Sequence, residues 1–440
     1  MTKMLRFVWI LMQCSYVLSD FVFPDVKLEA FDPEGFRVTV AEMKDINSIG
    51  FHANKNQKID DISPGEISTD IIRPADNGWS YYNPNLKLNV GDKIYYWMFV
   101  QHKNLGYKKP GQSWTVTELI PSRELNKTNC RRSLTEALTP TIICEKQLIF
   151  DGLFLDKKIN ERSWKLAHYI PSFPDYEFCS YQKRDDNIFI KDRNLVIKPI
   201  AATRMEEVSG TLDLREGCTS HSENDCIAYE DSGFILPPVR SAKMKTNQNF
   251  KYGTVEIKAK LPAGDWLYPE IYLESSKNKS KKIWIAYARG NQHLYGNGGD
   301  DIGGTLLFGG PSLTFAEPER SKYLSTSRGK KPFVEDFHVY SVVWKPDKIS
   351  VYVDDLLYGE TKADVASIFD EPMHVVLGVG VGGLTDFPDY YVSTNNKRKP
   401  WKDSDRLIYK NFFKARDDWL PTWTSEGSCL KVEYVKIFAL

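Results

Sequence analysis

The chain has 440 residues, room for two or three domains, and its 42% hydrophobic and 26% charged residues are those of a globular protein. Basic and acidic residues balance at 58 each, so zero net charge excludes the basic footprint of a nucleic-acid binder. Aromatics at 13%, with 11 Trp and 23 Tyr, suit β-sandwich cores and, where exposed, flat faces for sugars or bases.

The first segment, "MTKMLRFVWILMQCSYVLSD", sets Lys3 and Arg6 ahead of an apolar run and places Val17 and Ser19 before the cut. Residues 1–19 are expected to be a secretory signal, too short to span a bilayer. No later run reaches the ~18 apolar residues of a membrane span. The mature chain is therefore expected outside the cell.

The next stretches are β-rich runs between turn signals: "GFRVTV", "DKIYYWMFVQ" and "QSWTVTEL". In "KIYYWMFV" the alternating sets are Ile94, Tyr96, Met98 and Tyr95, Trp97, Phe99, so both faces of one strand are apolar. A sandwich buries only one, and the other must be covered or must bind something.

Residues 122–147 are polar and lack alternation, and read as a linker between a domain at 20–121 and one at 148–440. The linker holds the sequon at Asn126 and begins the cysteine framework. With Cys14 lost, six cysteines remain, an even count that in a secreted chain favours disulfides over metal. Six cysteines allow 15 connectivities. Cys130 and Cys144 could staple the linker, and Cys218 and Cys226 bracket the polar loop "TSHSEND". That leaves Cys179 with Cys429, which would tie an early strand to the last.

Beyond the linker come "NLVIKPI", "YGTVEIKAKL", "HVYSVVWKPDKISVYVDD", "HVVLGVGVGG" and "CLKVEYVKIFAL". The second expected glycosylation site, Asn278, precedes "KKIWIAYARGN". Helical periodicity is scarce throughout, and the fold class expected is all-β. The seven histidines show no ligand spacing, so neither a metal nor a cofactor is expected.

In the first domain "FPDVKLEAFDPEGFRVTV", "FHANKN", "TDIIRP", "NGWSYYNPNLKLNVGDKIYYWMFV" and "LGYKK" resemble the glucan-binding module of insect β-1,3-glucan recognition proteins, carbohydrate-binding module family 39. The resemblance implies an immunoglobulin-like β-sandwich that grips β-1,3-glucan, preferentially as an ordered multi-chain helix. It assigns binding to Asp70, Trp97 and Lys108, with Glu66 as a second acid and Trp79 as a weaker candidate. Lys108 stands where the family usually has arginine, which keeps the charge and loses the planar fork. Tyr82 and Pro84 likewise stand where the family tends to have arginines.

In the second domain "FDGLFLDKKINERSWKLAHYIPSFPDYEF", "ILPPVRSAKM", "FKYGTVEIKAKLPAGDWLYPEIYL", "LGVGVGGLTDFPD" and "ARDDWLPTW" resemble the glycoside hydrolase family 16 laminarinases. That resemblance implies a concanavalin-like β-jelly roll. Active members carry Glu-x-Asp-x-x-Glu before "RGN", because retaining hydrolysis needs two carboxylates about 5–5.5 Å apart across the scissile bond. Aligned on Ala288–Asn291, the three acid positions are Lys282, Trp284 and Tyr287. No acid remains, so no catalytic residue is expected. A relocated pair at Glu270 and Glu274 would stand roughly 13 Å apart by strand rise. Trp266, Trp284 and Tyr287 are candidates for residual binding in the cleft.

Together the resemblances imply a secreted innate-immune sensor of β-1,3-glucan on microbial walls. They further imply an extracellular serine-protease partner feeding Toll or prophenoloxidase cascades in haemolymph, and self-association on the ligand. The competing readings are a glucanase with relocated acids and a protein-binding adaptor whose glucan site has decayed.

Overall fold

A computed structural model describes residues 21–440 apart from 61, 72–73, 75–77, 84–85, 104, 122–130, 138–142 and 173–175. The expected signal, Cys130 and Asn126 lie outside the described residues. The chain divides into two compact units, 1–128 and 129–440.

The first unit is a sandwich of two four-stranded sheets. Strands β1 (Val26–Asp32), β2 (Phe36–Val40) and β5 (Trp79–Asn83) form one sheet, completed by a short β8 (Ile120–Pro121). Strands β3 (Ile46–Lys55), β4 (Ile67–Ile71), β6 (Lys93–His102) and β7 (Leu105–Thr115) form the other, in the order β4-β3-β6-β7. Strict alternation decides which residues face the interior. Phe36, Val38 and Val40 of β2 meet Ile49, Phe51 and Ala53 of β3 and Ile94, Met98 and Val100 of β6 in a core that water does not reach. Trp79 belongs to this core, 4% exposed. It presents no face to a sugar, which removes it from the expected binding set: its position in β5, opposite Val40, points it inward.

The second unit is a jelly roll of an eight-stranded and a nine-stranded antiparallel sheet. One continuous cluster of buried side chains draws on both, from Val255, Tyr340 and Val435 of one sheet to Ile271, Ile283 and Leu377 of the other. The expected hairpin at Pro346–Asp347 forms, joining the strands His338–Trp344 and Ile349–Val353 in register. The strand Lys282–Tyr287 is buried at every position and lies between Leu267–Ser275 and Leu306–Ser312.

Two expectations need correction. The described residues from 131 to 147 pack as part of the second unit and do not form a free linker. Glu136–Ala137 pairs with Phe250–Lys251, and Leu440 donates its N–H to Thr135 Oγ1. Local alternation misses so short a strand. Cys179 and Cys429 are also free thiols. Cys179 lies on a small three-stranded sheet beside Val239, whereas Leu430, next to Cys429, pairs with Ile197 of the eight-stranded sheet. Cys218 and Cys226 are bonded as expected. Cys144 is also disulfide-bonded.

Candidate functional sites

On the outer face of the β4-β3-β6-β7 sheet, register assembles a row from residues far apart in sequence. Asp70 of β4 stands opposite Gly50 of β3, Gly50 opposite Phe99 of β6, and Phe99 opposite Lys108 of β7. Asp70 and Lys108 are exposed, and Phe99 is 37% exposed. Gly50 allows the close approach. A Cβ there would meet Asp70 Oδ1 at 3.1 Å and His52 Nε2 at 3.2 Å. Gly106 does the same for Phe99, whose ring would lie 2.6 Å from an added Cβ.

Two residues along the strands, a second row carries Ser68, His52 and Trp97. The Trp97 indole stacks on the His52 ring at 4.1 Å, donates its Nε1–H to the Ser63 carbonyl at 2.8 Å, and carries Lys108 Nζ 4.6 Å from its ring centre. The loop through Ser63 thus covers one edge of Trp97 and leaves it half-buried. His52 Nδ1 and Ser68 Oγ lie 2.7 Å apart beneath it and fix the imidazole. Glu66 is exposed one residue ahead of β4, on the alternation shared with Ser68 and Asp70. Sequence reasoning brought Asp70, Trp97, Lys108 and Glu66 to this face. It did not assign Phe99 or His52 to the site, although both fall on the outward alternation of "FHANK" and "YYWMF".

In the second unit the strand Lys282–Tyr287 carries a bulge. Trp284 pairs with Gly310 but Tyr287 with Phe308, so an extra residue bulges the strand between them. The bulge returns Tyr287 to the side of Lys282 and Trp284, where its ring centre lies 5.0 Å from that of Trp284. Lys282 Nζ sits among aromatic faces, 4.7 Å from Tyr272, 5.4 Å from Phe315 and 5.8 Å from Trp284. Arg320 closes the other flank. It bonds Asp386 at 2.6 Å and lies over both Trp284 and Tyr287. Burial opposes its charge, but Asp386 and its neighbours hold the guanidinium firmly protonated.

Lys282, Trp284 and Tyr287 are 7%, 3% and 1% exposed. The cavity left beside Lys282 and Trp284 is about 10 Å³, room for about one water. No sugar ring fits. Trp284 and Tyr287 are therefore not cleft-binding residues, and neither is Trp266, packed at 1% exposure between Phe387 and Trp401. Lys282, Trp284 and Tyr287 fill this part of the sheet face with their own side chains.

The two glutamates considered as a relocated pair take separate partners. Glu270 is joined by Glu177, while Glu274 lies against Lys245 at 3.9 Å. The Tyr181 hydroxyl lies 3.0 Å from Glu177 and 2.9 Å from Glu270, so the two carboxylates are close neighbours. Lys243 Nζ bridges them at 3.3 and 2.6 Å. Burial works against the lysine charge, yet the two carboxylates hold its pKa well above the ordinary value. The cluster is an ion-paired core 2% exposed at each glutamate. Glu177 lies in the "FPDYEF" stretch, and nothing in its local sequence marks it as a partner of Glu270.

The "ARGN" motif turns out to hold the frame. Arg289 donates to the Asp386 carbonyl at 2.6 Å, and Asn291 donates to Asp265 Oδ1 at 3.0 Å while accepting from the Trp266 N–H. Asp265 is 3% exposed. Burial raises its pKa to about 6 against hydrogen bonds from Ser393 and Asn291 that lower it. A raised carboxylate binds its proton more tightly in the folded state, so stability is fullest below pH ~3.8 and declines as pH rises to about 6. Asp265→Asn is expected to gain roughly 2 kcal/mol at pH 8 and progressively less toward pH 4. Thermal unfolding across that range checks it, and a gain independent of pH would contradict it.

A binding-type sandwich followed by a closed family-16 jelly roll defines the class: a carbohydrate-binding module on a hydrolase frame. Residues 22–135 match the family model CBM39, described as a carbohydrate binding domain (family 32), and residues 313–398 match glycosyl hydrolases family 16. Beta-1,3-glucan-binding protein 1 of Manduca sexta is 31% identical over 99% of this chain and 100% of its own length. Beta-1,3-glucan-binding protein 2 of the same species is 32% identical over 95% of each. Gram-negative bacteria-binding protein 2 of Drosophila melanogaster is 29% identical, again over 95% of each. The chain belongs to this family of β-1,3-glucan-binding and Gram-negative bacteria-binding proteins.

Proposed function

We propose that the protein is a secreted innate-immune sensor that captures β-1,3-glucan on microbial walls through its first unit. The observation that carries this is the row Asp70–Phe99–Lys108 beside Trp97 on one sheet face. It offers an acceptor, two aromatic surfaces and a donor to a hydroxyl-rich chain. The names of the relatives support the ligand class. Glu66, at the margin, extends the acidic side. A repeating polymer engages many copies at once, so modest single-site affinity suffices for retention and favours self-association on the ligand.

The second unit acts as a non-catalytic scaffold. Its acid positions hold Lys282, Trp284 and Tyr287, and the nearby Glu177 and Glu270 are locked by Lys243 where no sugar ring fits. It presents the captured complex to an extracellular serine protease that feeds a Toll or prophenoloxidase cascade. Exposed Asn278, in the turn before Lys282–Tyr287, carries a glycan.

Binding of laminarin by the intact protein, with Asp70→Ala and Lys108→Ala compared by calorimetry, tests the ligand assignment. Each variant is expected to lose about 10- to 150-fold in affinity, the worth of a charged hydrogen bond. Unchanged affinity in both would place the site elsewhere.

A further inference from the structure

Trp284 carries one polar group that the closed frame does not use. The residue is 3% exposed, and among the described residues its indole N–H meets no acceptor. A buried donor is costly to leave unpaired. Trp284 lines the cavity of about 10 Å³, and Lys282 and Arg320 line it too. Lys282 Nζ lies 5.8 Å and the Arg320 guanidinium carbon 5.6 Å from the Trp284 ring centre. Two cations therefore converge on the ring that bears the unused donor.

The fixed charges around this space are nearly all out of water. Glu177, Glu270 and Asp386 of the lining are 2%, 2% and 4% exposed. Lys243 bridges the two glutamates, and Asp386 bonds Arg320. Lys282 and Arg320, at 7% and 6% exposure, complete the charged lining. Arg289, also 6% exposed, adds a further cation. It donates to the carbonyls of Asp386 and Ile302 and lies 5.4 Å from the Tyr287 ring centre, where Arg320 lies at 5.5 Å. Glu317 reaches Arg320 at 3.4 Å, but its side chain is 42% exposed and keeps its hydration. The buried set, Lys243, Lys282, Arg289 and Arg320 against Glu177, Glu270 and Asp386, thus carries one positive charge in excess.

A cation would add to that excess. A carboxylate or phosphate has too many atoms for a space of about one water. A monatomic anion is little larger than water, accepts from an N–H, and supplies the missing negative charge. We propose that this cavity is a halide site, with chloride its ordinary occupant, held by the Trp284 N–H and the Lys282 and Arg320 charges. The ion ties the strand Lys282–Tyr287 to segment 313–324, which carries Arg320 between two other strands, and so braces the closed frame from within. This inference does not depend on the glucan face of the first unit.

Thermal unfolding of the full chain tests it, with sodium gluconate replaced stepwise by sodium chloride at constant ionic strength. Gluconate is too large to enter. For a dissociation constant of ~10 mM, ~100 mM chloride shifts the second unit's unfolding equilibrium roughly tenfold and raises its midpoint by about 3 °C, along a saturating curve. Trp284→Phe keeps a ring and deletes the N–H, and is expected to lose most of that shift. An unfolding midpoint indifferent to chloride, or equally dependent on it in Trp284→Phe, would overturn the site and leave water as the occupant. A second measurement needs no variant to fold. Crystals of the unaltered protein grown in sodium bromide are expected to show an anomalous peak beside Trp284 in this cavity, and the absence of a peak there would overturn the proposal.

Discussion

Trp97→Ala is expected to lose retention on curdlan almost entirely, with a single-site affinity loss of about 30-fold or more. The indole is a half-buried aromatic surface on the outer face, and aromatic anchors of this kind are worth ~2 kcal/mol or more on truncation. It also organises its neighbours. It covers the His52 ring at 4.1 Å, anchors the Ser63 loop at 2.8 Å and underlies the Lys108 ammonium at 4.6 Å. Truncation removes a stacking face, uncovers His52 and frees the lysine stem, so three contributors weaken together. Multivalent retention amplifies a single-site loss, which is why sedimentation falls further than affinity. Trp97→Phe, which keeps a ring and loses the Ser63 bond, is expected to fall between. Wild-type retention by Trp97→Ala would contradict the assignment.

Lys243→Met is expected to destabilise the second unit by about 3–5 kcal/mol at neutral pH, the cost of breaking a buried pair from one side. It takes the Lys243 charge away from Glu177 and Glu270, each 2% exposed and both bonded to the Tyr181 hydroxyl. Two like charges so placed raise each other's proton affinity, so the deficit shrinks as pH falls and one carboxyl protonates. For a unit of this size the loss corresponds to roughly 10 °C in unfolding temperature. The triple change Lys243→Met, Glu177→Gln, Glu270→Gln is expected to recover most of it, since the buried charges go together. Thermal unfolding at pH 5 and 8 measures both effects. A Lys243→Met protein as stable as the parent at pH 8 would show that the lysine does not neutralise the pair.

Much of this architecture is legible in the sequence, and the parts that are not share a physical cause. Strand periodicity and turn residues act locally, so all-β character and the outward set of β6 can be read directly from "KIYYWMFV". That Lys282, Trp284 and Tyr287 carry no carboxylate is equally plain, and the "ARGN" anchor sets their register in the resemblance. Whether those side chains line a cleft or fill it depends on packing across sheets, and the sequence of one strand carries no record of that. The same holds for Trp79, which alternation alone could place on either face, and for Glu177, whose partner Glu270 comes from a distant strand. The Cys179–Cys429 pairing failed for a related reason. Elimination among cysteines assumes that all are bonded, and here Cys179 lies in a small three-stranded sheet while Cys429 precedes a strand of the eight-stranded one.

The most direct test is to incubate the intact protein with curdlan, sediment it, and assay both pellet and supernatant. The account predicts that the protein is retained in the pellet, that Trp97→Ala remains in solution, and that no reducing sugar is released by either. Sugar release above the buffer blank would contradict the closed hydrolase frame, and equal sedimentation of the two proteins would contradict the glucan face.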